Sequence, residues 1–256
     1  MYHFFVEENQ IKDSRIYVNG ADYNHVRNVI RLKHGDSVLI SVKNNLSGDL
    51  SSGNYMCELE DYTDDEAVFD ITQENVADTE LPCRVIIYQG LPKSDKLELI
   101  IQKAVELGAA RIIPVAMKRS VVKLDDKKAA AKLSRWNAIS ESAAKQSKRS
   151  VIPQVGPVMN YKDALKQASE CDICFVPYEN ENGMAETRKL VSAIRPQDSV
   201  AVFIGPEGGF ENDEIAAAKE LGMHTVTLGK RILRTETAGM AFLSMLAYAL
   251  EDQTEE

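Results

Sequence analysis

Two short blocks near the carboxyl end combine residue types that suit chemistry. The first is Gly205-Pro206-Glu207-Gly208-Gly209-Phe210, and the second is Arg234-Thr235-Glu236. Ahead of the first block an apolar run, Ser199 to Ile204, stops at Gly-Pro, and a helical pattern begins at Asn212. A buried strand that empties into a turn at a helix start offers main chain that a ligand can approach closely, with unpaired N–H groups nearby. The same glycines suit a plain tight turn. A phosphate cradle is the obvious competitor, but the block has no Gly-Lys-Ser/Thr and places Glu207 where a phosphate would be repelled. In the second block Thr235 or Thr237 suits a helix N-cap and Glu236 suits the first turn. Arg234 fits neither role, since a cation at a helix N-terminus is locally unfavourable. A substrate role is therefore expected for it.

The elements that must position these blocks alternate regularly. From Arg84 onward strand-like runs (Val85–Gln89, Arg111–Met117, Ile173–Val176, Val200–Ile204, His224–Leu228) are separated by helical patterns. The helical patterns are Lys93–Leu107, Lys127–Ser147, Asn160–Ser169, Met184–Ile194 and a stretch from Asn212 to Leu221. A final one runs from about Glu236 to Leu250. This rhythm predicts a parallel sheet covered on both faces. Three strand ends, Val176-Pro177-Tyr178-Glu179, Ile204-Gly205 and Leu228-Gly229, fall in the last third of the chain. Ligands of open α/β sheets sit beyond such carboxyl ends, so the pocket is expected there. The last helix is apolar nearly all round, which predicts burial on more than one side.

Residues 1–72 read differently. Ser37–Val42, Asn54–Leu59 and Glu66–Ile71 are short strand-like runs with turn clusters between them, such as Asn44-Asn45 and Ser47-Gly48-Asp49. One helical segment, Asp22 to Leu32, carries His25, Arg27 and Arg31, with Gly35 suited to its end. Short strands with one helix suggest a small barrel. Residues 73–82, polar and ending in Pro82, read as a linker to a second domain over 83–256.

The chain has 256 residues, is 44% hydrophobic and carries a net charge of −9. No apolar run approaches the roughly 20 residues that span a bilayer. The first residues lack a basic stretch, so no secretory leader is expected, and the cytoplasm is the expected location. The acidic total argues against a polyanionic partner, but the distribution does not. Between Lys118 and Arg149 ten basic residues face three acidic ones. Such a patch either docks a polyanion or is a solvated helix face. Trp136 within it is expected to pack in the core. Cys171-Asp-Ile-Cys174 is formally a C-x-x-C pair, but on a strand its members point to opposite faces, which suits ordinary thiols rather than a shared metal. No metal site is expected.

Together, Gly205–Phe210 and Leu228-Gly-Lys-Arg-Ile-Leu-Arg-Thr-Glu-Thr-Ala238 resemble the two signature blocks of SPOUT-class methyltransferases. The chain resembles most closely the RsmE family, which methylates N3 of a uridine in small-subunit (16S) ribosomal RNA. The likeness extends to Gln89–Lys96, Gln102–Gly108, Ser142–Arg149 and Asn24–Arg31, and so covers nearly the whole chain. It implies a PUA-like RNA-binding β-barrel at the amino end, followed by an α/β domain whose chain forms a deep trefoil knot. It also implies a homodimer that binds S-adenosylmethionine within the knot.

The resemblance assigns the cofactor to three loops. They contain Val176, Pro177, Tyr178 and Glu179; Ile204, Gly205, Pro206, Glu207, Gly208 and Gly209; and Leu228, Gly229, Ile232 and Leu233, with Thr237 and Ala238 at the helix start. Uridine N3 is a weak nucleophile until its proton leaves, and its loss spreads negative charge onto O2 and O4. A cation such as Arg234 would stabilise that charge, and a general base is wanted, for which Glu207 and Glu236 are the nearest carboxylates. His25, Arg27 and Arg31 in the first domain, with Arg119, Lys123, Lys145, Lys148 and Arg149 in the basic segment, are the expected RNA contacts. A catalytically silent RNA-binding protein and an enzyme using another adenosine cofactor remain open readings at this point.

Overall fold

A computed structural model describes residues 1–43, 53–76, 79–122, 126–181 and 183–251. Lys123 and the turn clusters at Asn44-Asn45 and Ser47–Asp49 lie outside the described residues. The chain divides into two compact units, Met1–Glu80 with Ala144–Ile152, and Leu81–Ala143 with Pro153–Glu256.

The first unit contains strands β1 (Tyr2–Val6), β2 (Ile11–Lys12), β3 (Arg15–Asn19), β4 (Ser37–Val42), β5 (Asn54–Tyr62) and β6 (Glu66–Glu74). They form one curled sheet in the order β1-β4-β5-β6-β3-β2, in which only the β1–β4 pairing is parallel. Alternate residues turn inward, as the strand period requires: Ile16 and Val18, Val38 and Ile40, Cys57 and Leu59 all join one buried core. The β6 strand continues through Glu74, so the first two residues of the expected linker are strand instead.

The expected helix over Asp22–Leu32 is a short α1 (Gly20–Asn24) followed by a π-helical turn, His25–Ile30. It ends at Arg31, whose φ of 60° is left-handed, and not at Gly35. Arg27 and Arg31 therefore do not share one helical face.

The second unit holds β7 (Arg84–Gly90), α2 (Lys96–Glu106), β8 (Arg111–Ala116), most of α3 (Asp126–Ser147), β9 (Gln154–Val155) and β10 (Met159–Asn160). It continues with α4 (Tyr161–Ala168), β11 (Ile173–Pro177), α5 (Met184–Val191), β12 (Ser199–Ile204), α6 (Asn212–Glu220), β13 (His224–Val226) and α7 (Thr235–Leu250). The sheet runs β10-β8-β7-β12-β11-β13, with β9 also on β8, and every pairing is parallel. Its centre, β7 and β12, is almost wholly buried, and Tyr88 stacks on Phe203 with ring centroids 4.6 Å apart. Because β12, β11 and β13 are adjacent and parallel, the three loops singled out by sequence leave the same edge of the sheet.

The α7 helix buries one stripe, including Phe242, Leu243 and Leu246, while Tyr248 on its other side is 87% exposed. Trp136 is buried. Cys57, Cys83 and Cys174 are buried free thiols, and burial pushes Cys174 up to about 12, which makes it inert at neutral pH.

Candidate active site

A cleft of about 330 Å³ opens where the loops after β11, β12 and β13 meet the start of α7. It is lined by Pro177, Tyr178 and Glu179, by Ile204 through Glu207 with Gly209, by Thr227 through Arg234, and by Ala238. Four expected residues do not line it. Val176 faces the core, Gly208 turns toward Arg119, and Thr237 is exposed on the outer side of the first turn. Glu236 sits beside the cleft without lining it. Lys96 and Phe210 also line the cleft from outside the three expected loops, while Lys230 and Arg231 belong to the expected Leu228–Leu233 loop and Thr235 to the helix start that follows it.

Backbone geometry explains the glycines. Gly209 (φ 69°) closes a turn with its N–H on the Pro206 carbonyl at 2.9 Å, and Gly229 has φ 118°. Both values favour glycine. A side chain at Gly205 would meet the Phe210 ring at 3.1 Å and the Gly209 backbone at 3.2 Å. At the end of β7, Gly90 is tighter still, since a Cβ there would fall 2.6 Å from Pro206 Cδ and 2.7 Å from its nitrogen. Gly90 is thus the point at which β7 passes against the Gly205–Gly209 loop.

Hydrogen bonds tie the loops to one another. The Thr235 hydroxyl donates to the Gly205 carbonyl at 2.6 Å and accepts from Gln89 Nε2 at 2.9 Å. Thr235 is therefore the first residue of α7 and a link between the Gly205 loop and the end of β7, not the expected N-cap. Arg234 occupies the N-cap position, and its carbonyl accepts from the Thr237 and Ala238 amides at 2.9 Å each. Its guanidinium is exposed and, among the described residues, forms no salt bridge.

The two carboxylates proposed as bases share one cation. Lys96 Nζ lies 3.2 Å from Glu207 and 3.3 Å from Glu236. Glu207 also accepts from the Lys93 amide at 3.1 and 3.3 Å, which anchors its loop to the start of α2. Burial pushes Glu207 up, but backbone N–H groups and Lys96 outweigh it, and its carboxyl lies below the usual range. The hydrogen bond from its own amide at the helix start, helped by Lys96, holds Glu236 low as well. Each is consequently a weaker base than a free carboxylate.

The expected RNA contacts divide between the units. Arg149 is a correction: it is buried and bidentate on Glu80, with side chains 3% and 4% exposed, so it cannot reach a nucleic acid. Lys145 is half-buried and pairs with Asp22 at 3.1 Å. Arg119 braces the Gly205–Gly209 loop through the Gly208 carbonyl (2.7 Å) and Glu211 (2.9 Å). Arg27 lies over the rings of Tyr23 and Tyr62 and is bonded to the Tyr23 hydroxyl. His25, Arg31 and Lys148 are exposed. Among the described residues no group of His, Cys, Asp and Glu is placed to hold a metal ion.

A family model described as an RNA methyltransferase domain matches residues 79–247. The ribosomal RNA small subunit methyltransferase E of Bacillus subtilis is 38% identical over 98% of both chains. The chain belongs to this family. Its Mesomycoplasma hyopneumoniae relative is 32% identical over 95% of this chain and 98% of its own. The Neisseria gonorrhoeae family member, crystallised with S-adenosyl methionine, superposes with a TM-score of 0.80 over 98% of both chains at 30% identity. Family membership accounts for the parallel sheet and for the sequence blocks that converge on the cleft. Among the described residues no helix is long and apolar enough to cross a membrane.

Proposed function

We propose that the protein methylates N3 of a uridine in small-subunit ribosomal RNA, with S-adenosylmethionine as donor. The observation that carries this reading is the cleft itself: three loops from adjacent parallel strands meet there, rich in backbone and glycine, with an unpaired arginine at the rim.

The residues fit the donor. Leu228, Leu233 and Ile204 supply apolar walls for an adenine ring, and Ile232, 84% exposed, extends that surface. The Gly205–Gly209 and Leu228–Gly229 turns supply main-chain donors and acceptors, and Tyr178 and Glu179 complete the wall from β11. The volume suits a small organic ligand. When bound, the cofactor supplies an electrophilic methyl group.

The protein's own work is then orientation and charge. Arg234 balances the negative charge that develops on uracil O2 and O4 as the N3 proton leaves. Glu207 lines the cleft and is the candidate acceptor for that proton, whereas Glu236 serves chiefly to hold Lys96. Because Glu207 is held below its ordinary range, most of the help to deprotonation falls to Arg234. The first unit, a curled sheet with exposed His25 and Arg31, acts as the PUA-like RNA-binding domain. Two copies pair through the outer face of α7, where Tyr248 stands in solvent. The cytoplasm, where ribosomes are assembled, is the working location.

The test is methyl transfer from labelled S-adenosylmethionine to small-subunit RNA or particles, with the mark mapped by mass spectrometry. Arg234→Ala is expected to bind the cofactor normally and to lose about 100- to 1,000-fold in kcat, the scale of one charge-stabilising donor. Cofactor binding without any transfer by the native protein would support a silent RNA-binding role instead. A native rate for Arg234→Ala would remove the arginine from the mechanism.

A further inference from the structure

The basic segment from Lys118 to Arg149 is the part of the sequence that most invites an RNA backbone, and in the structure much of it is already neutralised. Lys118 pairs with Asp213, Arg119 with Glu211, Arg135 with Glu98, Lys145 with Asp22 and Arg149 with Glu80. A cation held by a carboxylate gains little from a phosphate, because the new contact must break or share the old one.

The cleft rim is different. Of the four cations that line it, Lys96 is held between Glu207 and Glu236. Lys230 and Arg231, like Arg234, are exposed and enter no described salt bridge. They are also presented by a fixed stem. The Thr227 hydroxyl is bonded to both the carbonyl and the amide of Gly229, at 3.1 and 3.2 Å, while the Thr227 carbonyl accepts from the Thr187 hydroxyl at 2.9 Å. The left-handed turn at Gly229 then sends Lys230 and Arg231 outward.

The chain as a whole carries −9, and Glu179 and Glu207 line the same cleft. A polyanion approaching that opening is repelled unless positive charge sits at its edge. Lys230 and Arg231 are positioned to supply it.

We infer that Lys230 and Arg231 hold the phosphodiester backbone of the RNA segment that carries the target nucleotide, at the mouth of the cleft. The inference rests on the RNA methyltransferase reading. It moves phosphate recognition from the basic segment to the loop before α7. Contacts of this kind fix register and carry no sequence information, so their removal weakens binding without changing which nucleotide is marked.

The experiment measures binding of the full-length protein to an in vitro transcript of small-subunit ribosomal RNA across a potassium chloride series. Each lost phosphate contact lowers the slope of log K against log salt by about 0.7 on single strands, so K230Q/R231Q is expected to flatten it by about 1.4. K230R/R231K keeps both charges and is expected to retain the native slope. With the Gln variant KM for RNA rises, whereas K230R/R231K keeps it near native. An unchanged slope in K230Q/R231Q overturns the inference, as does an equal loss in K230R/R231K. If the slope flattens as expected but the native protein transfers no methyl group, the phosphate contact stands and the methyltransferase reading falls.

Discussion

Glu80 and Arg149 decide whether the end of the basic helix belongs to the core or to the substrate. Their side chains are 4% and 3% exposed, and Arg149 Nε meets Glu80 Oε1 at 3.0 Å while a second guanidinium nitrogen bonds the other oxygen. Glu80 also accepts from the Ser150 amide at 3.1 Å. Removing one partner leaves the other charge buried, which costs about 3–5 kcal/mol, whereas an exposed pair is worth no more than about 1 kcal/mol. Arg149→Ala and Glu80→Ala are each expected to lose the larger amount. Replacing both together, Glu80→Leu with Arg149→Met, should recover most of it, since no charge is then stranded. Hydrogen exchange of the β1 and β4 amides reads the stability of the first unit directly. About 3 kcal/mol corresponds to more than a hundredfold faster exchange and about 5 kcal/mol to several thousandfold. Exchange accelerated less than about fivefold in the single variants, on the scale of an exposed pair, would refute the reasoning. A loss of RNA affinity with native exchange would restore Arg149 as an RNA contact.

His3 should make the first unit acid-sensitive. It is buried, donates from Nε2 to Ser41 Oγ at 2.8 Å while that hydroxyl donates to Asn54 Oδ1, and is pushed down from 6.5 to about 4 by burial and by nearby Lys145 and Lys148. The unfolded chain binds the proton first, so stability is full above pH 6.5 and falls by about 3 kcal/mol as the pH drops toward 4, as urea melts would show. In His3→Gln that component of the pH dependence should vanish, whatever the variant's stability at neutral pH. Gly90→Ala forces a methyl against the backbone of Pro206, and should cost about 1–3 kcal/mol and weaken S-adenosylmethionine binding measured by calorimetry. Thr235→Val preserves shape but leaves the Gly205 carbonyl and Gln89 Nε2 without their shared hydroxyl. It should lose about 1–3 kcal/mol in thermal unfolding and loosen the cofactor.

Much of this architecture was legible locally. The alternation of apolar runs and helical patterns after Arg84 is a matter of side-chain period, and the parallel sheet follows from it. Gly108, at φ 92°, follows the end of the expected Lys93–Leu107 helix, where the turn needs a residue without Cβ. The Gly205–Gly209 and Leu228–Leu233 blocks carried the pocket because turn chemistry is written in adjacent residues. The β1 strand was not anticipated, since Phe4-Phe5-Val6 is too short an apolar run to show a period and its partner, β4, lies more than thirty residues away.

The sequence by itself determined the class of sheet, the loops that meet at its edge and the oddity of Arg234 at a helix start. The tertiary structure alone decided which charges are free. Lys96, which reads as an ordinary first-turn lysine, joins Glu207 to Glu236, and Arg149, which reads as a surface cation, is sealed against Glu80. The reason is physical: periodicity is a property of neighbours along the chain, whereas the state of a charge depends on whatever distant segment folds against it.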